Sequence, residues 1–387
     1  MLVKEDKSIS FLFFYIIQLV VRGSSVIIYL NWLNVNDNLL IANSYTTFTY
    51  LLSLTLNIFT YGTFSLRYIH GNLIWSVKNS GYGAWIIMTS LFFISAFFLF
   101  DIISLPYLPL IFLNMLIYEM TIIQIQKDRK ISTQIFINYQ LFTASIAMVM
   151  NIFFKIDILW MLYFFQIVLL IFYANTLKYL VLELFDARFN FRRLIVFMKK
   201  FKLILLNNFI GLIAWTIVPL IFRSLYFLDL ELLIKYETLL KIMLLIYTVS
   251  SIFFTQLHLS NLLKGRSLIL YSTFYFIASA PIIYFFHDDI FSIFQKLNIV
   301  KDSTHIKAFF GFALLFGNIL ILLNLQRILF IRENKLNHLN FTDLVTMLVL
   351  ICFSFLVLDT LSNLIYLIFG VLSFLVLFLH ARVYRYT

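Results

Sequence analysis

The stretch 9-ISFLFFYIIQLVVRGSSVIIYLNW-32 is the first of many apolar runs in this chain, and it indicates the fold class. A helix of about 20 apolar residues crosses the hydrocarbon core of a bilayer. The 387 residues are 62% hydrophobic and only 12% charged, and the mean hydropathy is +0.96. This composition predicts an all-α, polytopic membrane protein.

Apolar runs of this kind recur along the whole chain, separated by short polar breaks. They predict 12 transmembrane helices. The predicted spans are 9–32, 44–64, 83–103, 107–127, 134–154, 157–182, 203–223, 238–258, 266–287, 307–329, 341–360 and 362–382.

The basic residues are unevenly distributed among the breaks. Of the 29 Lys and Arg residues, 21 lie in or beside one set of alternate loops and termini, seven lie in the other set, and Arg22 remains. Because Lys and Arg accumulate in cytoplasmic loops, this asymmetry predicts a multi-pass protein with both termini in the cytoplasm. Their spread over many loops excludes a basic patch for nucleic acid.

The longest basic break, 186–202, follows six predicted spans and precedes six more. It predicts a cytoplasmic linker between an N-terminal lobe at 1–185 and a C-terminal lobe at 203–387, lying either on anionic headgroups or in solvent. A faint echo between 36-NDNLLIANSY-45 and 229-DLELLIKYET-238 favours two related halves. Such repeats are common in transporters and place substrate sites at the repeat interface.

Arg22 is the sharpest candidate for function, since a charge at mid-membrane is costly and needs a partner or a ligand. It shares one helical face with Gln18 and Ser25. Its planar donors suit phosphate oxygens. The alternatives are a structural ion pair with Glu119 or a side chain that reaches toward the membrane surface.

Other spans also carry polar residues. The second span repeats the polar stripe, with Tyr50 and Asn57 as candidate substrate contacts. The seventh span contains Pro219, which predicts a kink, and carries Asn208 and, at its outer end, Arg223. Arg223 is also a candidate contact, although an ordinary interface anchor explains it as well.

Glu119 is the most isolated acid within a predicted span. A carboxylate in this environment can exchange protons, so it is the candidate for ion coupling. No metal site is expected, because the chain has one cysteine and six scattered histidines. The sequence contains no phosphate-binding glycine loop, and no cofactor or catalytic residue is expected.

The order of these features resembles the polysaccharide flippases of the multidrug/oligosaccharidyl-lipid/polysaccharide exporter superfamily. The resemblance rests on 64-FSLRYIHGN-72 at the end of the second span, on 192-RRLIVFMKKFKLILLNN-208 before and within the seventh, and on Tyr236 near the start of the eighth. It extends over nearly the whole chain as a pattern of spacing.

The resemblance implies two six-helix lobes around a central cavity, and a transporter rather than an enzyme. Its cargo would be an undecaprenyl-diphosphate-linked oligosaccharide, flipped across the bacterial cytoplasmic (inner) membrane by alternating access for O-antigen, lipopolysaccharide or capsule assembly. Arg22 would hold the anionic head group. The implied partners are this cargo, membrane lipids and a polysaccharide polymerase, and the implied state is a monomer.

Two other classes compete with this interpretation. A membrane polysaccharide polymerase or glycosyltransferase has a similar number of spans, but usually needs a sizeable extracytoplasmic loop, and the longest candidate here is 288–306. A chemoreceptor of the insect type matches in length and basicity. It would need seven long spans, which the alternation of basic loops disfavours.

Overall fold

In a computed structural model, the described part of the chain is almost entirely helical and contains no strand. The described residues are 8–35, 39–59, 133–172, 202–226, 228–259, 265–300, 304–332, 335–358 and 362–384, with short stretches between 106 and 117 and single residues at 174 and 199.

Eleven α-helices and one π-helical turn have defined bounds among these residues. They are α1 Ser8–Val35, α2 Leu39–Phe59, α3 Thr133–Phe154, α4 Ile158–Phe172, α5 Lys202–Leu212, the π-helical turn Ile213–Ile217, α6 Val218–Leu225, α7 Leu230–Leu259, α8 Gly265–Lys296, α9 Thr304–Arg332, α10 Leu336–Val357 and α11 Ser362–Tyr384.

The helices coincide closely with those predicted spans that fall on described residues, and the apolar composition of these helices indicates a membrane-embedded protein. Among the described residues, three helical segments are long and apolar enough to cross a bilayer: Ile269–Lys296, Thr304–Arg327 and Asn337–Val357. Five shorter apolar segments accompany them. The total of 12 spans in two lobes stays a prediction.

α7 and α8 extend furthest beyond their predicted spans. α7 begins at Leu230 rather than near 238, and α8 continues past Asp288 to Lys296. Charged residues lowered the local hydropathy there, but neither segment contains a glycine or proline that would end a helix. Asn298, two residues after the end of α8, has a positive φ of 53°, the left-handed conformation that closes a helix C-terminus.

The chain forms two compact units that do not follow its order. Unit 1 comprises residues 1–37, 138–153 and 231–387, and unit 2 comprises 38–137 and 154–230. The predicted lobes at 1–185 and 203–387 are continuous in sequence, so this grouping differs from them. The linker at 186–202 lies almost entirely outside the described residues, and the lobes and linker stay predictions.

Unit 1 is built around α9, which packs against α8, α10 and α11. Apolar side chains along α9, such as Phe316 and Leu325, are completely buried. α9 also approaches α7 closely at Gly317, where an added Cβ would lie 2.9 Å from the Met243 carbonyl oxygen. A helix buried on nearly all sides positions the polar groups that it carries.

Unit 2 contains α2 packed against α5, the π-helical turn and α6. The turn ends two residues before Pro219, which lacks the amide hydrogen that an α-helix requires. The wider π-helical turn accommodates this loss. The sequence predicts a kink or break at Pro219, and the structure shows a π-helical turn with helix on both sides.

Candidate functional site

The polar stripe of α1 faces protein at the positions that are described. Ser25 and Tyr29 are buried, whereas Val20 and Ile27 on other faces are exposed. The Ser25 hydroxyl donates a hydrogen bond of 2.9 Å to the backbone carbonyl of Arg22. Ser25 therefore bonds to its own helix backbone, and its role as a substrate contact stays a prediction.

Arg22 lies near the middle of α1 and is partly buried, with its Nε atom enclosed by protein. It is within electrostatic reach of Tyr247 on α7. The Tyr247 phenol is in turn within electrostatic reach of Arg327 and Asp343. The Tyr247 phenol therefore interacts electrostatically with two guanidinium groups and one carboxylate of unit 1.

The Arg327–Asp343 pair connects α9 to α10. Nε of Arg327 lies 3.8 Å from Oδ1 of Asp343, and the Asp343 residue is only 2% exposed. Tyr247 packs against the apolar cluster that includes Leu329 and Leu339, which lie close to the pair along α9 and α10. We name Arg22, Tyr247, Arg327 and Asp343 the arginine cluster.

A second polar group lies between α1 and α7 near the end of α1. The Tyr29 hydroxyl donates to Oε1 of Glu237 at 3.3 Å, and Glu237 is 1% exposed. Lys241 lies one turn after Glu237, with its Nζ 3.3 Å from that carboxylate and 5.1 Å from the centre of the Tyr29 ring. Glu237 is thus a buried carboxylate with both a counter-ion and a hydroxyl donor.

Arg223 is buried in unit 2, with 5% of its surface exposed. It donates to the side-chain oxygen of Asn43, to the Asn43 backbone carbonyl at 3.3 Å and to the Thr47 hydroxyl at 3.3 Å. These contacts join α6 to α2 through neutral oxygens. An ordinary interface anchor would be exposed, so the burial of Arg223 favours a role inside the helix pair.

The π-helical turn carries a further contact to α2. Thr216, fully buried within the turn, lies with its hydroxyl 3.4 Å from the hydroxyl of Ser53. Tyr50, one turn earlier on α2, is also buried. The polar face of α2 therefore packs against protein at these described positions, and the role of Tyr50 as a substrate contact stays a prediction.

The contacts within the two units repeat at a constant spacing along the sequence. The interval from Tyr29 to Arg223 equals the interval from Asn43 to Glu237. The Tyr29–Glu237 contact of unit 1 is therefore equivalent in position to the Arg223–Asn43 contact of unit 2. We name this spacing the repeat interval. It differs by a single position from the register of the sequence echo between 36–45 and 229–238.

Two more contacts follow the same rule. The repeat interval also separates Thr47 from Lys241, so the Lys241–Tyr29 and Arg223–Thr47 contacts are equivalent. Arg22 and Thr216 are separated by the repeat interval, and so are Ser53 and Tyr247. The Arg22–Tyr247 interaction of unit 1 is therefore equivalent in position to the Ser53–Thr216 contact of unit 2. Three matching contacts support two related halves, in which Arg22 corresponds to a neutral threonine.

The remaining predicted site residues are only partly described. Asn57, Gln18 and Asn208 lie on described helices, but their side chains are outside the described part of the structure. Glu119 lies wholly outside it. Their predicted roles in substrate binding and ion coupling stay predictions.

Sequence reasoning missed Asp343, Arg327 and Tyr247. Arg327 and Asp343 lie near the ends of predicted spans, where charges are expected for topological reasons, and a tyrosine in an apolar helix has no distinctive pattern. One signal was available, because Asp343 falls just inside the predicted span 341–360.

A buried histidine was also missed. Nε2 of Gln326 donates to Nδ1 of His380 at 3.1 Å, so Nδ1 is unprotonated and the ring can donate from Nε2. That Nε2 lies 2.9 Å from the Ser272 hydroxyl and 3.2 Å from the Ile269 carbonyl oxygen. These bonds tie α8, α9 and α11 together and are fully explained as structural links.

Within the described part of the chain, no group of three or more His, Cys, Asp or Glu side chains could hold a metal ion. The chain matches no protein-family model, no curated protein and no solved structure. Its function is therefore inferred from its own residues and their geometry.

Proposed function

We propose that this chain is a membrane transporter that flips an undecaprenyl-diphosphate-linked oligosaccharide across the bacterial cytoplasmic membrane for surface polysaccharide assembly. The observation that carries the proposal is the position of Arg22. It is a permanent cation near the middle of an apolar helix, partly buried beside Tyr247 and connected through that phenol to Arg327 and Asp343.

The chemistry of this cluster suits an anionic head group. Arginine keeps its charge when desolvated, and its planar donors match the geometry of phosphate oxygens. When a lipid-linked diphosphate is flipped, its charged phosphates cross the bilayer core while the lipid tail stays in the membrane. Cationic side chains within a helix bundle lower the energetic cost of that passage.

The contacts that recur at the repeat interval give independent support. Transporters that work by alternating access are commonly built from two related halves. The contacts at Tyr29–Glu237 and Arg223–Asn43 lie at equivalent positions of these halves. We therefore also propose alternating access, by a protein with 12 spans and both termini in the cytoplasm.

The competing polymerase or glycosyltransferase needs a long loop for its reactive groups. α8 extends to Lys296 and α9 begins at Thr304. Helix therefore occupies both ends of 288–306, the longest candidate loop. This favours transport over a reaction at that loop.

The experiment that tests the proposal measures lipid-linked oligosaccharide in cells that carry the intact gene, a deletion, or Arg22→Gln at matched expression. We expect both the deletion and Arg22→Gln to accumulate the glycan on the cytoplasmic leaflet. The neutral side chain retains hydrogen-bonding capacity but loses the charge that the diphosphate requires.

Arg382→Gln is the matched control, because Arg382 is exposed in the last turn of α11. It should export normally. Normal export in the deletion strain would refute the flippase function. A defect in the deletion strain with normal export by Arg22→Gln would leave the flippase function standing and remove Arg22 from the cargo site.

A further inference from the structure

The Arg327–Asp343 pair lies at a particular depth. Arg327 lies five residues before the end of α9 at Arg332, and Asp343 lies seven residues after the start of α10 at Leu336. Because α9 and α10 are consecutive, the pair lies toward the end at which they are connected. α9 has 29 residues and is about 43 Å long, which exceeds the hydrocarbon core of about 30 Å. Arg327 therefore lies near the edge of that core, close to the depth of lipid phosphate groups.

The pair itself is loose and unequally covered. Its N–O distance of 3.8 Å is longer than the 2.7–2.9 Å typical of a charged hydrogen bond. The Arg327 side chain is 30% exposed, whereas that of Asp343 is 4% exposed. A ligand can therefore reach the guanidinium while the carboxylate remains behind it.

We infer that Arg327 and Asp343 form the docking site for the diphosphate of the lipid-linked cargo at the cytoplasmic membrane surface, with Asp343 as the counter-ion that the phosphate displaces. Arg327 would then exchange its long contact with Asp343 for the bidentate contact that guanidinium makes with phosphate. Asp343 neutralises Arg327 in the empty site and competes with the phosphate, and because a buried charge that loses its partner is costly, its displacement lowers the affinity for the phosphate.

The site continues toward the middle of the membrane. Tyr247, which is about half-way along α7, is within electrostatic reach of Arg327 and of Arg22. A phosphate that leaves Arg327 would therefore next meet Tyr247 and then Arg22. This inference rests on the proposed function, and it names the residues that receive the cargo before Arg22 does.

The test uses the purified full-length protein in phosphatidylcholine nanodiscs, with undecaprenyl diphosphate as the probe. We expect Asp343→Asn to bind the probe about tenfold more tightly, because the competing carboxylate is gone. We expect Arg327→Gln to bind it about tenfold more weakly, and Arg22→Gln also to bind more weakly.

The Lys307–Asp288 pair provides matched controls. It connects neighbouring helices α8 and α9, its N–O distance is 3.5 Å, and its side chains are 53% and 60% exposed. Asp288→Asn and Lys307→Gln should leave the affinity unchanged. The double variant Arg327→Gln/Asp343→Asn leaves no unpaired charge, so it should fold and should bind as weakly as Arg327→Gln.

The outcomes separate the two proposals. If the wild type does not bind the probe, the proposed cargo is wrong. If binding depends on Arg22 while Asp343→Asn and Arg327→Gln leave it unchanged, the docking site is refuted and the proposed function stands. A parallel titration with phosphatidylglycerol distinguishes the source of the phosphate, since equal effects there would assign the pair to bulk phospholipid and overturn its role in cargo docking.

Discussion

Arg22 and Arg223 are both arginines within apolar helices, and their surroundings differ. Arg223 is held by Asn43 and Thr47 on the neighbouring helix, whereas Arg22 is within electrostatic reach of Tyr247. A buried guanidinium that donates to several fixed oxygens orders the helices that it joins. The contacts of Arg223 therefore favour a structural role, and contact with the charge of the proposed cargo stays a prediction for Arg22.

Replacing Arg223 tests this structural role. We expect Arg223→Met to lower the stability of the protein by about 2–3 kcal/mol, because the charged hydrogen bonds to Asn43 and Thr47 are lost. Thermal unfolding in detergent micelles measures the change. Arg382→Met, at an exposed position, should shift the unfolding temperature much less, and equal shifts for the two variants would contradict the role of Arg223.

At the scale of helices, unit 2 is shaped by one proline and unit 1 by one glycine. Pro219 follows the π-helical turn that presents Thr216 to Ser53. Gly317 allows α9 to approach the backbone of α7. Both features depend on the shape of the backbone at a single position, so each can be tested by a change to alanine.

Pro219→Ala restores an amide that can donate to the carbonyl of Trp215. We expect the π-helical turn to convert to α-helix, because its cause has been removed. Hydrogen exchange of the amides at 213–218 should slow, and glycan export should fall. Pro281→Ala within α8 is the control and should leave export unchanged. Unaltered exchange at 213–218 in Pro219→Ala would show that the turn has another cause.

Gly317→Ala introduces a methyl group 2.9 Å from the Met243 carbonyl oxygen and 3.2 Å from Cβ of Ile246. We expect a loss of about 1–3 kcal/mol in stability, because backbone atoms must move apart. At Gly370 in α11 the same change meets nothing within 4 Å, so Gly370→Ala should stabilise the helix by up to about 1 kcal/mol. Opposite shifts in unfolding temperature are the expected result, and stabilisation by both variants would argue against the close approach.

At the scale of the whole molecule, orientation in the membrane determines which end of each helix meets the cargo first. The distribution of Lys and Arg predicts cytoplasmic termini. The proposed docking site at Arg327 and Asp343 requires that orientation, since the diphosphate of the proposed cargo would begin at the cytoplasmic surface.

Cysteine labelling tests the orientation, because Cys352 is the chain's single cysteine. In a Cys352→Ser background, Thr387→Cys should resist a membrane-impermeant maleimide in intact cells, and Asp229→Cys should react with it. Disruption of the cells should expose Thr387→Cys to the reagent. Labelling of Thr387→Cys in intact cells would reverse the predicted orientation.

The sequence by itself determined the helical, membrane-embedded class and most of the helix positions among the described residues. Long apolar runs need only hydropathy to be recognised, and the polar stripes of α1 and α2 follow from helical periodicity. The distortion at Pro219 was predictable in the same local way. Each of these features depends on residues that are close together in the chain.

Only the tertiary structure decided which polar residues meet. Arg327 and Asp343 belong to different helices, and Tyr29 meets Glu237 across 208 positions of sequence. The repeat interval could be recognised only after these contacts were known, because the side chains at equivalent positions differ in chemistry. Helix packing constrains the positions of contacts more strictly than the residue types that make them. The contacts therefore keep the repeat interval, although the echo between the two sequence segments is faint.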